Sequence, residues 1–369
     1  MAFLYIADGG VRKIDTSDMS QVGIFTDHTS VVFAVAADTE GFAYSGSFDK
    51  TARKIDVSDM SQVGIFNASN AIRSISFGGD GFVYAGEDPG FVRKIDPSDM
   101  SVVSSLEESS AINVTAIDYG AGGFVYASLN VAKRLIHKID PATMSIADSY
   151  DVAGNRVEAL AFGDDGFLYA SVRGGTVLKI DVSNMSAVDS INFTDTSSAG
   201  LAYGSDGFVY FGGDSDVLKK IDPSDMTQVD TFTGHTGTII AVAFGPEGFI
   251  YSGGVDQIAR KLDSSDMSQI DSFDTATIIR SMAFEPAAET GPTPEEIFDI
   301  TPLKVSAFAT NVTSNGLERI VVGTEEGQVF LLDQGNPGFA YQGQYIPWNY
   351  SLTMNPFFAD VPFLNIKYN

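Results

Sequence analysis

Short runs of alternating apolar and polar residues follow one another along most of the chain. In residues 234–273 this pattern predicts four strands, each bounded by Gly, Asp or Ser clusters; they are 238–244, 249–251, 258–262 and 269–273. The runs are short and rich in Val, Ile, Tyr and Phe, which favours strands over helices. No helical period is found in the first 285 residues, so this part of the chain is predicted to be all-β.

The four-strand pattern repeats seven times. Each unit contains Gly-Phe-x-Tyr or a close variant, then a basic residue that precedes Ile-Asp or Leu-Asp, and then a turn like Ser-Asp-Met-Ser. The closing aspartates are spaced 40 to 44 residues apart, at Asp15, Asp56, Asp96, Asp140, Asp181, Asp222 and Asp263. A period near 40 with about four strands per unit is typical of a β-propeller. Residues shared by all units are expected to build the blades, so function is to be sought where the repeat is broken.

Residues 233–263 resemble a repeat of the WD40 family, from Thr-Gly-His to Leu-Asp. In that family a His, a Ser or Thr, an Asp and a Trp form a buried hydrogen-bonded tetrad that stiffens a blade. The resemblance implies these roles for His235, Ser252 and Asp256 in one unit and for His28, Ser45 and Asp49 in another.

The tetrads implied by this resemblance are incomplete. Leu262 and Ile55 stand where the family has Trp, and the other five units lack the His. Those five units are closer to quinoprotein-like and YVTN-type propellers. The resemblance covers residues 1 to about 285 and implies the fold without an enzymatic activity.

The ends of the repeat region decide the number of blades. The chain opens on a second strand, at Phe3 to Tyr5, and residues 277–284 form a first strand with no second strand at the normal distance. Joining the two closes a ring of seven four-stranded blades and removes exposed edges. The alternative is eight blades, because residues 318–333 resemble a degraded second and third strand and the last residues could supply the missing one.

The remainder divides into three segments of different composition. Residues 286–304 are proline-rich and are predicted to be a linker or insert, and residues 305–338 are predicted to be degraded blade-like strands. Residues 339–369 contain nine aromatic and two charged side chains among several prolines. Such a segment needs a surface to lie on, so it is predicted to be a docking arm. Its candidate partner-docking residues are Tyr345, Trp348, Tyr350, Phe357, Phe358 and Phe363.

The chain is strongly acidic, with 48 acids against 22 bases and a formal charge of −26. The acids recur in nearly every turn, which favours a halophilic source; an acidic mesophilic protein is the alternative. Nucleic acid is an unfavourable partner for such a surface. The absence of Cys excludes disulfides and thiolate chemistry. Neither a signal peptide nor an apolar run long enough to span a membrane is found, which predicts cytoplasmic synthesis without membrane insertion.

No catalytic, metal or cofactor site is predicted. His137 stands alone beside Lys138 and is expected to be a strand residue, since no His lies near a Ser in a non-repeated motif. Asp pairs at 164–165 and at 214 and 216 could hold a cation, but Asp-Gly is common turn chemistry. The Asp that closes each unit is predicted to cap the following turn.

These observations favour a non-enzymatic assembly module that binds other protein subunits through the C-terminal arm. The absence of a signal peptide, the similar repeats, the acidic charge and the aromatic arm suggest a capsid- or tail-associated virion component of a halophilic archaeal virus, with host-surface glycan or protein as a further partner. A cellular WD40-like scaffold and a glycan-binding propeller are the alternatives. Enzymatic propellers need distinct acids, His or metal ligands around the channel, and the innermost strands here offer mainly Ala, Ser, Val and Arg.

Overall fold

The computed structural model describes most of the repeat region and five later strands. The described ranges are 2–108, 113–120, 122–130, 134–153, 155–285, 305–312, 318–324, 329–333, 351–354 and 364–367. All regular structure in these ranges is β-strand. No described residue belongs to a helix that is long and apolar enough to cross a membrane.

The repeat region contains 28 strands, most of them five to seven residues long. In chain order they are β1 (Phe3–Ala7), β2 (Val11–Asp15), β3 (Ser20–Phe25), β4 (Val32–Ala37), β5 (Phe42–Ser47), β6 (Thr51–Asp56), β7 (Ser61–Asn67), β8 (Ile72–Phe77), β9 (Val83–Glu87), β10 (Phe91–Asp96), β11 (Ser101–Glu107), β12 (Val114–Gly120), β13 (Phe124–Asn130), β14 (Arg134–Asp140), β15 (Ser145–Asp151), β16 (Val157–Phe162), β17 (Phe167–Val172), β18 (Thr176–Asp181), β19 (Ser186–Asn192), β20 (Ser198–Tyr203), β21 (Val209–Gly213), β22 (Leu218–Asp222), β23 (Thr227–Phe232), β24 (Ile239–Phe244), β25 (Phe249–Gly254), β26 (Ile258–Asp263), β27 (Gln269–Asp274) and β28 (Ser281–Phe284).

These strands form seven antiparallel four-stranded blades. Blade 1 has the strand order β28-β1-β2-β3, and blades 2 to 7 are β4–β7, β8–β11, β12–β15, β16–β19, β20–β23 and β24–β27. The first strands of neighbouring blades contact each other and therefore surround the central channel. We letter the strands of each blade a to d from the channel outward. The a–b and c–d turns lie on one face of the ring, the ab/cd face, and the b–c turns and d–a loops lie on the other, the bc/da face.

The ring closes between its first and last strands. Strand β28 pairs antiparallel with β1, with Leu4 opposite Phe284 and Ala7 opposite Ser281. The prediction of an all-β propeller with seven four-stranded blades is thereby confirmed, and the eight-blade alternative is wrong. The alternative required residues 277–284 to pair with Arg319 to Gly323, but β28 is already occupied by β1, which needs a first strand to complete its own blade.

Residues 288–369 belong to a second compact unit. Its described strands are β29 (Val305–Val312), β30 (Glu318–Thr324), β31 (Val329–Asp333), β32 (Ser351–Met354) and β33 (Leu364–Lys367). Strands β29, β30 and β31 form one antiparallel sheet, and β32 pairs with β33. The boundaries predicted for the linker, the blade-like strands and the arm remain predictions.

Aromatic stacking joins neighbouring blades. The Tyr of Gly-Phe-x-Tyr is at most 1% exposed in all seven b strands. In five blades its ring stacks on an aromatic ring of the next a strand at centroid distances of 5.7–5.9 Å; the pairs are Tyr44–Phe77, Tyr84–Tyr119, Tyr126–Phe162, Tyr169–Tyr203 and Tyr210–Phe244. Because such pairs contribute beyond their buried area, the aromatic positions of the repeat stabilise the ring as well as each blade.

A second set of contacts runs around the ab/cd side of the ring. In every blade the Lys before Ile-Asp or Leu-Asp donates a hydrogen bond of 2.6–3.0 Å to a backbone carbonyl of the next blade, and we call this set the lysine ladder. Its pairs are Lys13–Val57, Lys54–Pro97, Lys94–Pro141, Lys138–Val182, Lys179–Pro223, Lys220–Ser264 and Lys261–Thr16. Each ammonium also lies 3.7–4.2 Å from the ring centroid of the Phe that starts its own b strand. The last pair crosses the point where the ring closes.

The c–d turns explain the Asp and the Met of the repeat. Asp15 Oδ1 accepts hydrogen bonds from the Ser17 backbone N–H and hydroxyl, and these bonds lower the pKa of Asp15. An equivalent backbone hydrogen bond is present in the other six turns, which confirms the predicted capping role. The seven turn methionines have φ of 46–59° and are 2–8% exposed. Their burial offsets a backbone conformation that is unfavourable for a non-glycine residue.

Candidate functional site

The repeat is broken most strongly at one position of the a strands, near the bc/da face. In blades 2, 3, 4, 5 and 7 the pairing of strands a and b shifts there, so that one residue forms a β-bulge. A bulge leaves its residue out of the ladder and changes the direction of the side chain. The bulge residues are Phe33, Arg73, Thr115, Glu158 and Ile240, and Arg280 precedes β28 at the same level of blade 1. We call this set the mouth.

Three mouth residues from adjacent blades meet around one aromatic ring. The Arg73 guanidinium lies 5.0 Å from the Phe33 ring centroid, and the Arg280 guanidinium lies 5.6 Å from it. Phe48, in the b–c turn of blade 2, is 53% exposed and meets Phe33 edge to face. Two cations and two aromatic rings are therefore presented together at the channel entrance.

An ionic network continues the mouth through blades 3 to 5. Arg73 Nε donates to Asp88 Oδ2 at 2.6 Å. Glu158 Oε2 accepts from Arg156 Nη2 at 3.0 Å, and Glu158 Oε1 lies 3.2 Å from Arg173 Nε. Burial raises the pKa of Asp88 and of Glu158, and the nearby arginines offset only part of this effect. The two carboxylates are thus poorly hydrated and depend on their arginine partners.

The network is not fully satisfied. Within the part of the chain that the structure describes, Arg156 Nε is buried without a hydrogen-bond acceptor. Glu158 Oε1 also lacks a well-aligned hydrogen bond, although Arg173 is close to it. Buried polar groups of native proteins are almost always paired, so unsatisfied atoms at a channel entrance mark a place where a further polar group could bind.

The structure brings the two sets of tetrad-like residues together. His28 contacts Asp49 through Nδ1 and Ser45 through Nε2, both at 2.8 Å. His235 contacts Asp256 through Nδ1 at 2.9 Å and Ser252 through Nε2 at 2.8 Å. Each His therefore links a d–a loop to strand b and to the b–c turn of the same blade.

The surroundings of these histidines are suited to a structural role. Both histidine side chains are fully buried, and burial lowers the pKa of both His28 and His235. Burial also opposes ionisation of Asp49, but hydrogen bonds from Thr51, His28 and the backbone outweigh it and lower the pKa of Asp49 to about 2. The Ser hydroxyls are fully buried, so this Asp-His-Ser order does not present a nucleophile to solvent.

Three blades without this His use a different buried pair at the same end. The pairs are Arg12–Asp8 at 2.6 Å, Arg93–Glu87 at 2.8 Å and Lys219–Asp195 at 2.9 Å. His137 occupies the corresponding strand position in blade 4, where its Nδ1 lies 2.7 Å from Ser149 Oγ. Sequence analysis missed these pairs; the signal was the residue before each ladder Lys, which is basic in six of seven blades.

Two of the aspartates considered as cation ligands, Asp165 and Asp214, act as hydrogen-bond acceptors near their turns. Asp165 accepts the Tyr169 hydroxyl at 2.5 Å, and Asp214 accepts both the backbone N–H and the hydroxyl of Thr196. Among the described residues no group of three or more His, Asp or Glu is arranged to hold a metal ion. The predicted docking residues lie outside the described residues; they are Tyr345, Trp348, Tyr350, Phe357, Phe358 and Phe363.

Comparison with known families completes this description. The family model of the WD domain, G-beta repeat, matches residues 226–261, which include the His235–Ser252–Asp256 set of blade 7. The match and the seven-blade ring lead to one conclusion. The chain is a WD40-like β-propeller. No curated protein matches this WD40-like chain. WD40 propellers are generally non-catalytic scaffolds that bind other proteins, so the fold supports a protein-interaction function.

Proposed function

We propose that this propeller is a non-enzymatic assembly module that binds a protein partner at the mouth. The observation that carries the proposal is the contrast between the positions that all seven repeats share and the mouth. The Phe, Tyr, Lys and Asp positions of the repeat build all seven blades, whereas the mouth carries five different residue types, with Arg in two blades and Phe, Thr, Glu and Ile in one blade each. The mouth positions are not among those that build every blade, and they include Arg and Phe. Arg and aromatic residues are enriched at protein interfaces, so the mouth has the composition of an interaction surface.

The rim of the ring is a less favourable docking surface. Every d strand is an edge strand, but each contains a β-bulge opposite the ladder Lys and the following residue. Bulged edges resist pairing with a further strand. The rim therefore protects the molecule from edge-to-edge association, which favours the mouth as the binding surface.

Within this function we propose a virion component of a halophilic archaeal virus, associated with the capsid or tail. The formal charge of −26 supports a high-salt environment, because carboxylates that repel one another at low salt are screened there. The aromatic segment 339–369 supports assembly with other subunits. The genomic neighbourhood tests the proposal: capsid, portal or tail genes beside this gene would support it, and a metabolic operon would overturn it.

Salt dependence tests the halophilic part of the proposal by itself. The melting temperature of the full chain is expected to rise monotonically between about 0.1 M and about 3 M KCl. Differential scanning fluorimetry would measure it. A flat or falling melting temperature would remove the halophilic assignment and leave the interaction function standing.

Truncation after Gln334 tests the assembly role of the arm. We expect a soluble ring that melts as the full chain does but no longer associates with its partner subunit in sedimentation velocity. An unfolded or insoluble product would assign residues 335–369 to the folded core and would count against a docking arm.

A further inference from the structure

The ring distributes its charge unequally between its two faces. Ten acids of the ab/cd turns are exposed, and no Lys or Arg among the described residues of that face is exposed, because its lysines belong to the ladder. These acids are Asp18, Glu40, Asp59, Asp99, Asp164, Asp165, Asp206, Asp225, Glu247 and Asp266. All nine arginines of the ring lie toward the bc/da face. A chain of charge −26 thus gathers its guanidinium groups on one side.

The mouth concentrates this positive charge. Arg73, Arg156, Arg173 and Arg280 surround it, against the carboxylates of Asp88 and Glu158. These four cations outnumber the two carboxylates, and Asp8, which also lines the cleft beside Arg280, is paired with Arg12. A cleft with an excess of one charge attracts ligands of the opposite sign.

Arg280 is the cation most available to a ligand. Among the residues that the structure describes, it forms no ion pair, and its guanidinium lies against the Phe33 ring. Stacking on an aromatic ring fixes the position of a guanidinium while its in-plane N–H groups stay free to donate. An open cleft of about 490 Å³ lies beside Arg280, where blades 7, 1 and 2 meet. The cleft provides room for a side chain next to a preorganised donor.

We propose that the mouth binds the carboxylate side chains of an acidic segment of a protein partner, with Arg280 and Arg73 as the anchoring residues. This inference rests on the proposed interaction function and names its partner class. A guanidinium recognises a carboxylate through paired hydrogen bonds, and the flanking Phe33 and Phe48 offer apolar contact to the partner backbone. A nucleic acid carries phosphates along its whole length and would meet repulsion from the acidic surface beyond the mouth, whereas a short acidic segment of a protein can contact the mouth alone.

Fluorescence anisotropy with three labelled peptides of equal length tests the proposal. One peptide alternates Glu and Ser, one Lys and Ser, and one Asn and Ser, each titrated with the full chain at one fixed salt concentration. The Glu-Ser peptide is expected to bind. Arg280→Gln should weaken it by about tenfold or more, because a charge-assisted contact is lost without leaving a buried acid unpaired. Lys50→Gln, which removes an equal charge from a b–c turn of the same face, should change affinity by less than about twofold.

Each other outcome overturns the inference in a distinguishable way. Absence of binding by the Glu-Ser peptide, or equal losses in the Arg280→Gln and Lys50→Gln chains, would exclude the mouth as a carboxylate site. Tighter binding of the Asn-Ser or Lys-Ser peptide that still depends on Arg280 would retain the interaction function and change its partner class. If the chain self-associates in sedimentation velocity, Arg280→Gln would then be tested for loss of this association. Such a loss would show that the mouth binds the acidic face of a second copy instead of a different protein.

Discussion

The two faces of the ring use the same repeat in opposite ways. On the ab/cd face each blade is joined to the next by the same Lys-to-carbonyl bond, and the closing pair Lys261–Thr16 matches the other six. On the bc/da face the mouth positions of blades 2 to 5 carry Phe33, Arg73, Thr115 and Glu158, which differ in size, charge and polarity. The ladder joins every blade to the next in the same way, whereas the mouth positions vary from blade to blade.

Deletion of residues 2–25 is expected to prevent the ring from closing. It removes β1, β2 and β3, which leaves β28 without its pairing partner and the neighbouring blades without the sheet that they pack against. We expect loss of cooperative unfolding, measured by circular dichroism and by calorimetry. A deleted chain that still melts in a single sharp transition would show that six blades close without the seventh.

Replacement of one ladder residue should cost less but remain large. Lys261→Met keeps the length of the side chain and removes its hydrogen bond to Thr16 and its contact with Phe249. We expect a loss of about 3 kcal/mol in the free energy of unfolding, measured with urea. Lys50→Met, an exposed control on the other face, should stay within about 0.5 kcal/mol. Equal effects of the two substitutions would refute the structural role of the ladder.

Asp118 is expected to make the stability of the ring depend on pH. It occupies an a-strand position where the next three blades have Ala, and it accepts the Phe162 backbone N–H of blade 5 at 2.7 Å. Burial raises the pKa of Asp118 from 3.8, the ordinary value of an aspartate, to about 7. The folded protein therefore holds a proton that the unfolded chain has released, and stability contributed by Asp118 is lost as pH rises from about 4 through about 7.

Asp118→Ala should remove this pH dependence. The unfolding free energy of the wild type, minus that of the variant, should fall by about 2 kcal/mol between pH 5 and pH 8. Thermal melts of both chains at matched ionic strength would measure it. A constant difference across this range would mean that Asp118 stays ionised throughout.

Substitution of a mouth residue is expected to have the smallest effect on stability. Arg280→Gln breaks no ion pair among the described residues and leaves the lysine ladder intact. We expect a change within about 0.5 kcal/mol, measured by the same urea titration. A loss comparable to that of Lys261→Met would show that Arg280 stabilises the ring. It would contradict the division of roles between the two faces.

Most of the architecture could be predicted from the sequence because the repeat encodes it directly. The spacing of the closing aspartates predicted a propeller with seven repeat units, and residues 277–284, followed by no second strand, favoured seven blades over the eight-blade alternative. The observed β28 begins only at Ser281. The observed β25 extends to Gly254 instead of Tyr251, because Ser252 and two glycines continue the pairing despite their low strand propensity.

The contacts between blades could not be predicted in the same way. Lys54 donates to the carbonyl of Pro97, and any residue supplies a carbonyl, so the acceptor has no sequence signature. Arg73 and Arg280 are far apart in sequence, and only the ring places both beside Phe33. The a-strand bulge that defines the mouth is a shift in pairing, which alternation of apolar and polar residues does not reveal.

The closure has a practical consequence for how the molecule can be handled. Strand β1 starts and strand β28 ends at the ab/cd face, since Leu4 and Phe284 are paired there. A flexible tether fused before Phe3 would leave the ring on the side opposite the mouth. A sensor surface coated through that tether should thus display the arginine side outward to molecules in solution. Immobilisation through an engineered Cys in the b–c turn of blade 2 would hide the same side, so the two orientations provide matched surfaces for screening partners.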